Sequence, residues 1–227
     1  VRTLMLCLCL LLGGCATSGE SGFSIKSLAK SDIDSVTDSH RRQLKAHLQQ
    51  LTIKLYKRNP RELIKVERMS IRKRLDMLYV LDRKPGQFAE LSFRDGNDAI
   101  RLAFSEEYKG DRVFALMAGL STMLNSAYQH KPEFFMLDDL DQQKLYNSAR
   151  NLETVAWQLR QRRDSRGQLF LLSNGVSDSG VANYSFELLF GKMISLQDMM
   201  AIVISEKTNR TITHIVHRAA SMTLLPI

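Results

Sequence analysis

All three cysteines of this 227-residue chain, Cys7, Cys9 and Cys15, fall within its first fifteen residues. Beyond Cys15 there is no thiol, so no disulfide can close a fold there. A segment of about 200 residues can bury a core without such crosslinks. Whatever folds after the cysteines must therefore be held by packed apolar faces. The hydrophobic share of 44% supplies those faces, and only four prolines and twelve glycines interrupt the chain, which permits long helices.

The cysteine-bearing stretch has its own organisation. Val1-Arg2-Thr3 gives a short basic start, Leu4 to Leu12 an apolar run, and Gly13-Gly14 small residues before Cys15. The run is far below the ~20 residues needed to cross a bilayer as a helix, and the order basic, apolar, small is that of a secretory leader. Leu12-Gly13-Gly14-Cys15 resembles the lipobox of bacterial lipoproteins. The resemblance implies cleavage before Cys15, a diacylglyceryl group on its sulfur, and usually acylation of the new amine. Two or three acyl chains give stable anchoring where one gives only marginal binding. Ala16 follows the cysteine, where many inner-membrane lipoproteins carry Asp, so the resemblance favours the outer membrane with the domain facing the periplasm. Residues 16–30 are rich in Ser and Gly and read as a flexible tether spanning ~20 Å. The expected organisation is a signal peptide at 1–14, the lipidated Cys15 and tether at 15–30, and a helical periplasmic domain at 31–227.

From Ser31 the apolar spacing turns helical. Leu44, Leu48, Leu51 and Leu55 recur at four, three and four, and Asn59-Pro60 ends that helix. A second helix is expected to run from Pro60 to before Pro85-Gly86, burying Ile64, Ile71, Leu75 and Leu78. Residues 87–93 read as a short strand or a loop. Asp95-Gly96-Asn97-Asp98 is turn chemistry opening a helix expected to last to Tyr108. Asp111 caps a helix with Val113, Leu116, Met117, Leu120 and Leu124 inward, and Gly119 on it marks a close neighbour. Asp138, Asp139 and Asp141 open the most regular helix, with Leu145, Ala149, Leu152, Ala156 and Leu159 as its stripe and Arg160, Arg162 and Arg163 at its end, matching the helix dipole. Residues 168–172 read as a short strand or buried extended segment, and 173–180 as a loop. Helices resume at Asn183, with a break near Gly191 to Ser195, because Ser195 with Asp198 has the form of a capping box. The fold class expected is all-α: an irregular bundle of about seven helices with one or two short extended segments.

Charge is distributed unevenly. Residues 40–84 hold fourteen Lys/Arg against four Asp/Glu, while the whole chain carries +8. On a continuous second helix Arg61, Lys65, Arg68 and Arg72 would share a sector of about 60°, a line of cations suited to lipid or lipopolysaccharide phosphates or an acidic partner. Nucleic acid is not the expected partner, because the leader points out of the cytosol and no aromatic reading motif accompanies the cations.

The remaining candidates for chemistry are weak. His214 and His217 are three apart, but no third ligand or His-Glu-x-x-His accompanies them, so no metal is expected. Asp138, Asp139 and Asp141 lack the glycine and distal Glu of a calcium loop. Glu106 and Glu107 are adjacent and would diverge on a helix. Gly175-Val176-Ser177-Asp178-Ser179-Gly180 misses the Gly-x-Ser-x-Gly elbow by one residue, and nothing asks for a cofactor. Met193, Met199, Met200 and Met222 are candidates to line an adaptable groove, and Tyr146 and Trp157 to pack the core. The expected role is a non-catalytic adaptor or assembly factor of the cell envelope. An envelope hydrolase acting on peptidoglycan or lipid, and a lipid or small-ligand carrier, are the alternatives.

Overall fold

A computed structural model describes residues 32–80, 86–131, 133–134, 140–176, 180, 182–214 and 223–227. The leader, Cys15 and the tether lie outside the described residues, as do Asp138, Asp139, His217 and Met222. Within the described residues the protein is an all-α bundle of seven helices with one two-stranded ribbon.

Helix α1 (Asp32–Arg58) buries Leu44, Leu48, Leu51 and Leu55 along the stripe set by their spacing. Asn59 ends it, and Pro60 opens α2 (Pro60–Ile64) at a position where its missing N–H costs nothing. Here the structure corrects the expected second helix. Helix α2 stops after five residues, Arg68 takes a left-handed φ of 53°, and Ser70 caps a new helix, α3 (Ile71–Leu75), by accepting from the Lys73 amide at 3.2 Å. The chain then widens into a π turn at Asp76–Val80. The break has a tertiary cause. Glu62, buried, accepts the Arg112 backbone N–H at 2.8 Å, while Arg74, fully buried, pairs with Asp111. Each half is pinned to the same distant helix head, and the chain must turn between the pins. Ile64, expected inside, is 81% exposed. Ile71, Leu75 and Leu78 do pack against the core.

Residues 87–93 hold a 3₁₀ turn at Ala89–Leu91 rather than a strand. Helix α4 (Gly96–Ala103) ends five residues before Tyr108. The Arg112 guanidinium donates to the carbonyls of Ala103 at 2.9 Å, Ser105 at 2.7 Å and Tyr108 at 2.7 Å, which hold that segment as an open loop. Helix α5 (Arg112–Ala127) is the centre of the bundle and is buried on nearly every face. Asp111 caps it as expected, accepting from the Phe114 amide at 2.9 Å. A Cβ at Gly119 would lie 2.7 Å from the Gly96 carbonyl oxygen and the Ile100 nitrogen, so α4 crosses α5 backbone to backbone there.

Helix α6 (Gln142–Gln161) is capped by Asp141, whose carboxylate accepts from the Gln143 and Lys144 amides. After it, Phe170 and Leu171 sink into the core next to an isolated bridge between Arg163 and Leu169, the extended segment anticipated at 168–172. Strands β1 (Gly175–Val176) and β2 (Ala182–Asn183) pair antiparallel. Helix α7 (Ser185–Thr208) then runs unbroken for 24 residues, which overturns the expected stop near Ser195. Asp198 meets Arg150 of α6 at 2.7 and 2.9 Å in place of capping a new helix. Helix α7 packs on α6 and α1, and α4 on α5.

Candidate functional site

The four cations of the expected row do not form one. Arg61 and Lys65 stand at the two ends of α2, Arg68 on the left-handed turn, and Arg72 on α3. Lys65 donates to the Glu62 carboxylate at 2.7 Å and to the Gly110 carbonyl at 3.0 Å, and Arg61 reaches Glu62 at 3.5 Å. These two help neutralise a buried carboxylate, so they serve the head of α5 rather than an external phosphate row.

That helix head carries the most concentrated buried charge among the described residues. Arg74 forks onto Glu90 at 2.6 and 2.9 Å and meets Asp111 at 3.1 Å, with its guanidinium 3.9 Å over the Phe114 ring. Tyr56 donates to Asp111 at 2.8 Å. Burial pushes the Asp111 carboxyl up from 3.8, opposed by the donors Phe114 N–H, Arg74 and Tyr56. Burial, with the neighbouring Asp111 charge, also drives the Tyr56 hydroxyl up and that of Tyr108 up to about 12. Every charge in the cluster faces another, and the arrangement locks α3, the 3₁₀ turn and α5 together. Glu106 and Glu107 lie on the exposed loop nearby rather than on a helix.

Two surfaces remain. The first is the outer face of α7. Tyr184 at its cap, then Leu188, Gly191, Ser195, Met199 and Ile202, recur at four, three, four, four and three, and all are exposed. Leu188 is 60% and Met199 54% exposed. The opposite face, with Phe186, Phe190, Met193, Gln197 and Met200, is buried. Thus Met199 lies on a surface while Met193 and Met200 fill the core. By length and composition α7 is apolar enough to cross a membrane, yet its buried side is a core face of the bundle. Between the outer face of α7 and α1 lies an open groove of about 730 Å³, walled by Tyr184, Leu188, Leu196, Lys192, Gln43 and His47 among others. Burial and then the Lys192 charge hold the His47 imidazole below its usual range, and its Nδ1 is buried without a hydrogen-bond partner. Glu187, the carboxylate on the groove wall, is engaged by Asn174 at 2.7 Å and Arg160 at 3.4 Å.

The second surface was not anticipated. Gln143, Asn147 and Asn151 follow one another at four-residue intervals on α6 and so share one face. Gln143 accepts from the Thr213 N–H at 2.8 Å and donates to the Thr213 carbonyl at 3.1 Å. Asn151 accepts from the Leu225 N–H at 2.6 Å and donates to its carbonyl at 2.9 Å. Asn147 donates to the Pro226 carbonyl at 2.9 Å, and Asn97 of α4 to the Leu225 carbonyl at 2.7 Å. The four-residue periodicity of the amides was the signal the sequence offered. Tyr146, between them, is buried and takes His214 edge-on at 5.3 Å, while Trp157 is half-buried. Among the described residues no cluster of His, Cys, Asp and Glu could hold a metal ion.

The chain matches no protein-family model, and no curated protein or solved structure matches it.

Proposed function

We propose that the chain is a bacterial lipoprotein, acylated at Cys15 and held at the outer membrane, whose periplasmic helical domain is a non-catalytic adaptor for a protein partner. One observation carries the adaptor reading: the solvent-facing apolar stripe of α7 beside the α1–α7 groove. Tyr184, Leu188, Met199 and Ile202 expose large apolar side chains on one helix face, with Gly191 and Ser195 between them, and exposed apolar surface of this kind fits a docking face. The occupant is an amphipathic helix of the partner. The stripe's spacing of three and four residues matches the ridges of a packed helix. Lys192 of α7 lines the groove, so the partner helix carries an acidic residue facing it. Glu187, the carboxylate on the groove wall, is already engaged by Asn174 and Arg160.

The test is photo-crosslinking from Leu188 and Met199 in cells at native expression. The expected result is one stoichiometric envelope protein, crosslinked through a helix with an acidic edge, and lost on Lys192→Glu. Recovery of the monomer alone, or a crosslink indifferent to Lys192→Glu, would overturn the adaptor. Mass spectrometry of the native protein separately decides the anchor: a mature terminus at Cys15 bearing fatty acid supports it, and an intact leader or a bare cysteine refutes it.

A further inference from the structure

The geometry points to the elbow between α2 and α3 as a second contact with the membrane, made on the headgroups of anionic phospholipid. The inference takes from the lipoprotein reading only that a bilayer lies near the tethered end. The elbow shares no residue with the α7 stripe or its groove. Its first feature is an apolar tip. Ile64, the last residue of α2, is the most exposed large apolar side chain among the described residues, and Val66 and Met69 in the turns after it are half-buried. The chain doubles back there, with the Val66 N–H on the Leu63 carbonyl at 3.4 Å and the Met69 N–H on the Val66 carbonyl at 3.3 Å. The result is a blunt knob rather than a helix face.

The second feature is positive charge left over once the local acids are served. Residues 57–73 hold seven Lys/Arg against Glu62 and Glu67. Glu62 is satisfied from within by the Arg112 N–H, Lys65 and Arg61. Glu67 meets Arg68 at 3.5 Å with both side chains almost fully exposed, a pair worth little in water. Lys73 donates to the Arg68 carbonyl at 2.8 Å, which brings its ammonium to the same turn without cancelling it. Arg72 and Lys73 are exposed, and no acid among the described residues pairs with either. An exposed apolar tip ringed by cations fits a bilayer surface, where the tip enters the headgroup layer and each cation is drawn to the anionic leaflet.

The third feature is placement. Helix α1 has 27 residues and so runs about 40 Å. Residues 16–30 precede its N-terminal end, and the elbow lies just past its C-terminal end. A domain held at one end alone swings over the surface on a tether of ~20 Å. A contact at the far end of α1 lays that helix along the bilayer and fixes which faces of the bundle point away from it. The tether keeps the elbow at high local concentration over the lipid, so a weak headgroup contact is enough.

The test uses the full chain with Cys15→Ser, so that no acyl anchor forms, and vesicles of phosphatidylcholine with or without phosphatidylglycerol. Ile64→Trp places a reporter at the exposed tip, read as the difference from the parent, whose single tryptophan is Trp157. The expected result is a blue shift, and quenching by lipid with brominated chains, only when phosphatidylglycerol is present. Met199→Trp on the α7 face should show neither. Adding Arg68→Gly and Arg72→Gln should weaken the response at least tenfold, and raising the salt should weaken it too. Glycine suits the left-handed φ at Arg68, so that variant removes charge and keeps the turn. The leader is common to every variant, so the differences belong to the elbow. An equal response on both vesicles, indifference to the two arginine substitutions, or a shift at Met199→Trp in place of Ile64→Trp would overturn the contact. Photo-crosslinking from Ile64 in cells to an acidic protein instead of lipid would overturn lipid as the occupant. The terminus of the unaltered chain is weighed separately, so failure of the anchor and failure of the elbow contact are told apart.

Discussion

Arg74 and Asp111 meet at 3.1 Å with both side chains fully shielded from solvent. Removing one member of such a pair strands the other charge, which costs about 3–5 kcal/mol. Arg74→Met should lower the unfolding free energy by that amount in urea titration. Adding Asp111→Asn to it should restore part of the loss, because the stranded carboxylate goes too. A loss under about 1 kcal/mol for the single variant, the range of exposed pairs, would show that the pair is wet.

Two glycines, Gly119 on α5 and Gly191 on α7, should respond with opposite sign. Gly119→Ala forces a methyl to within 2.7 Å of α4 backbone that has nowhere to move, and overpacking of this kind costs about 1–3 kcal/mol. Gly191→Ala meets nothing within 4 Å on the exposed side of α7, and gains about 0.5–1 kcal/mol from helix propensity. Thermal melts of the two variants, one lowered and one raised, check both the crossing and the unbroken α7.

Asp164 organises the turn after α6. Its Oδ1 accepts from the Gln168 N–H at 2.8 Å and the Arg166 N–H at 3.0 Å, and its Oδ2 pairs with the Arg166 guanidinium at 3.0 Å. The Gln168 amide first, and then the Arg166 contacts, hold its carboxyl below the ordinary 3.8. A depressed carboxyl supports the fold fully above its unfolded value and loses that support as pH falls through its folded value. Amide exchange at Gln168 should therefore speed up as pH drops below about 3.8 relative to the intrinsic rate. Asp164→Asn should remove that pH dependence.

Asn59→Ala should open one segment selectively. It deletes the grip on Leu172 and leaves its N–H unpaired, at a cost of about 1–3 kcal/mol. Hydrogen exchange should rise across 169–173 while α6 and α7 keep their protection. Uniform loss across the bundle would show that Asn59 acts through α1 instead.

What the sequence disclosed follows the range of the interactions involved. The stripes of α1 and α6 and the caps Asp111 and Asp141 depend on residues within a turn of one another, and they stand where spacing put them. Gly119 was legible too, since an isolated glycine in a packed helix implies a neighbour. The cation row was misread because continuity through residues 60–80 is decided from far away. Glu62 binds a backbone amide fifty residues on. The α7 break was misread for the same reason: Ser195 and Asp198 have the local form of a cap, but Asp198 is drawn to Arg150 across the bundle. The amide face escaped notice because its partner strands are remote. Nothing near Asn151 in sequence announces Leu225.

Side-chain amides stand in for sheet neighbours at Leu172, Thr213 and Leu225. Such joints have a chemical lifetime. Hydrolytic deamidation of Asn59 or Asn151 turns the donating nitrogen into a second carboxylate oxygen, which would face the very carbonyl it once served. In an old molecule the helices would persist while the segments laid across them come loose one by one.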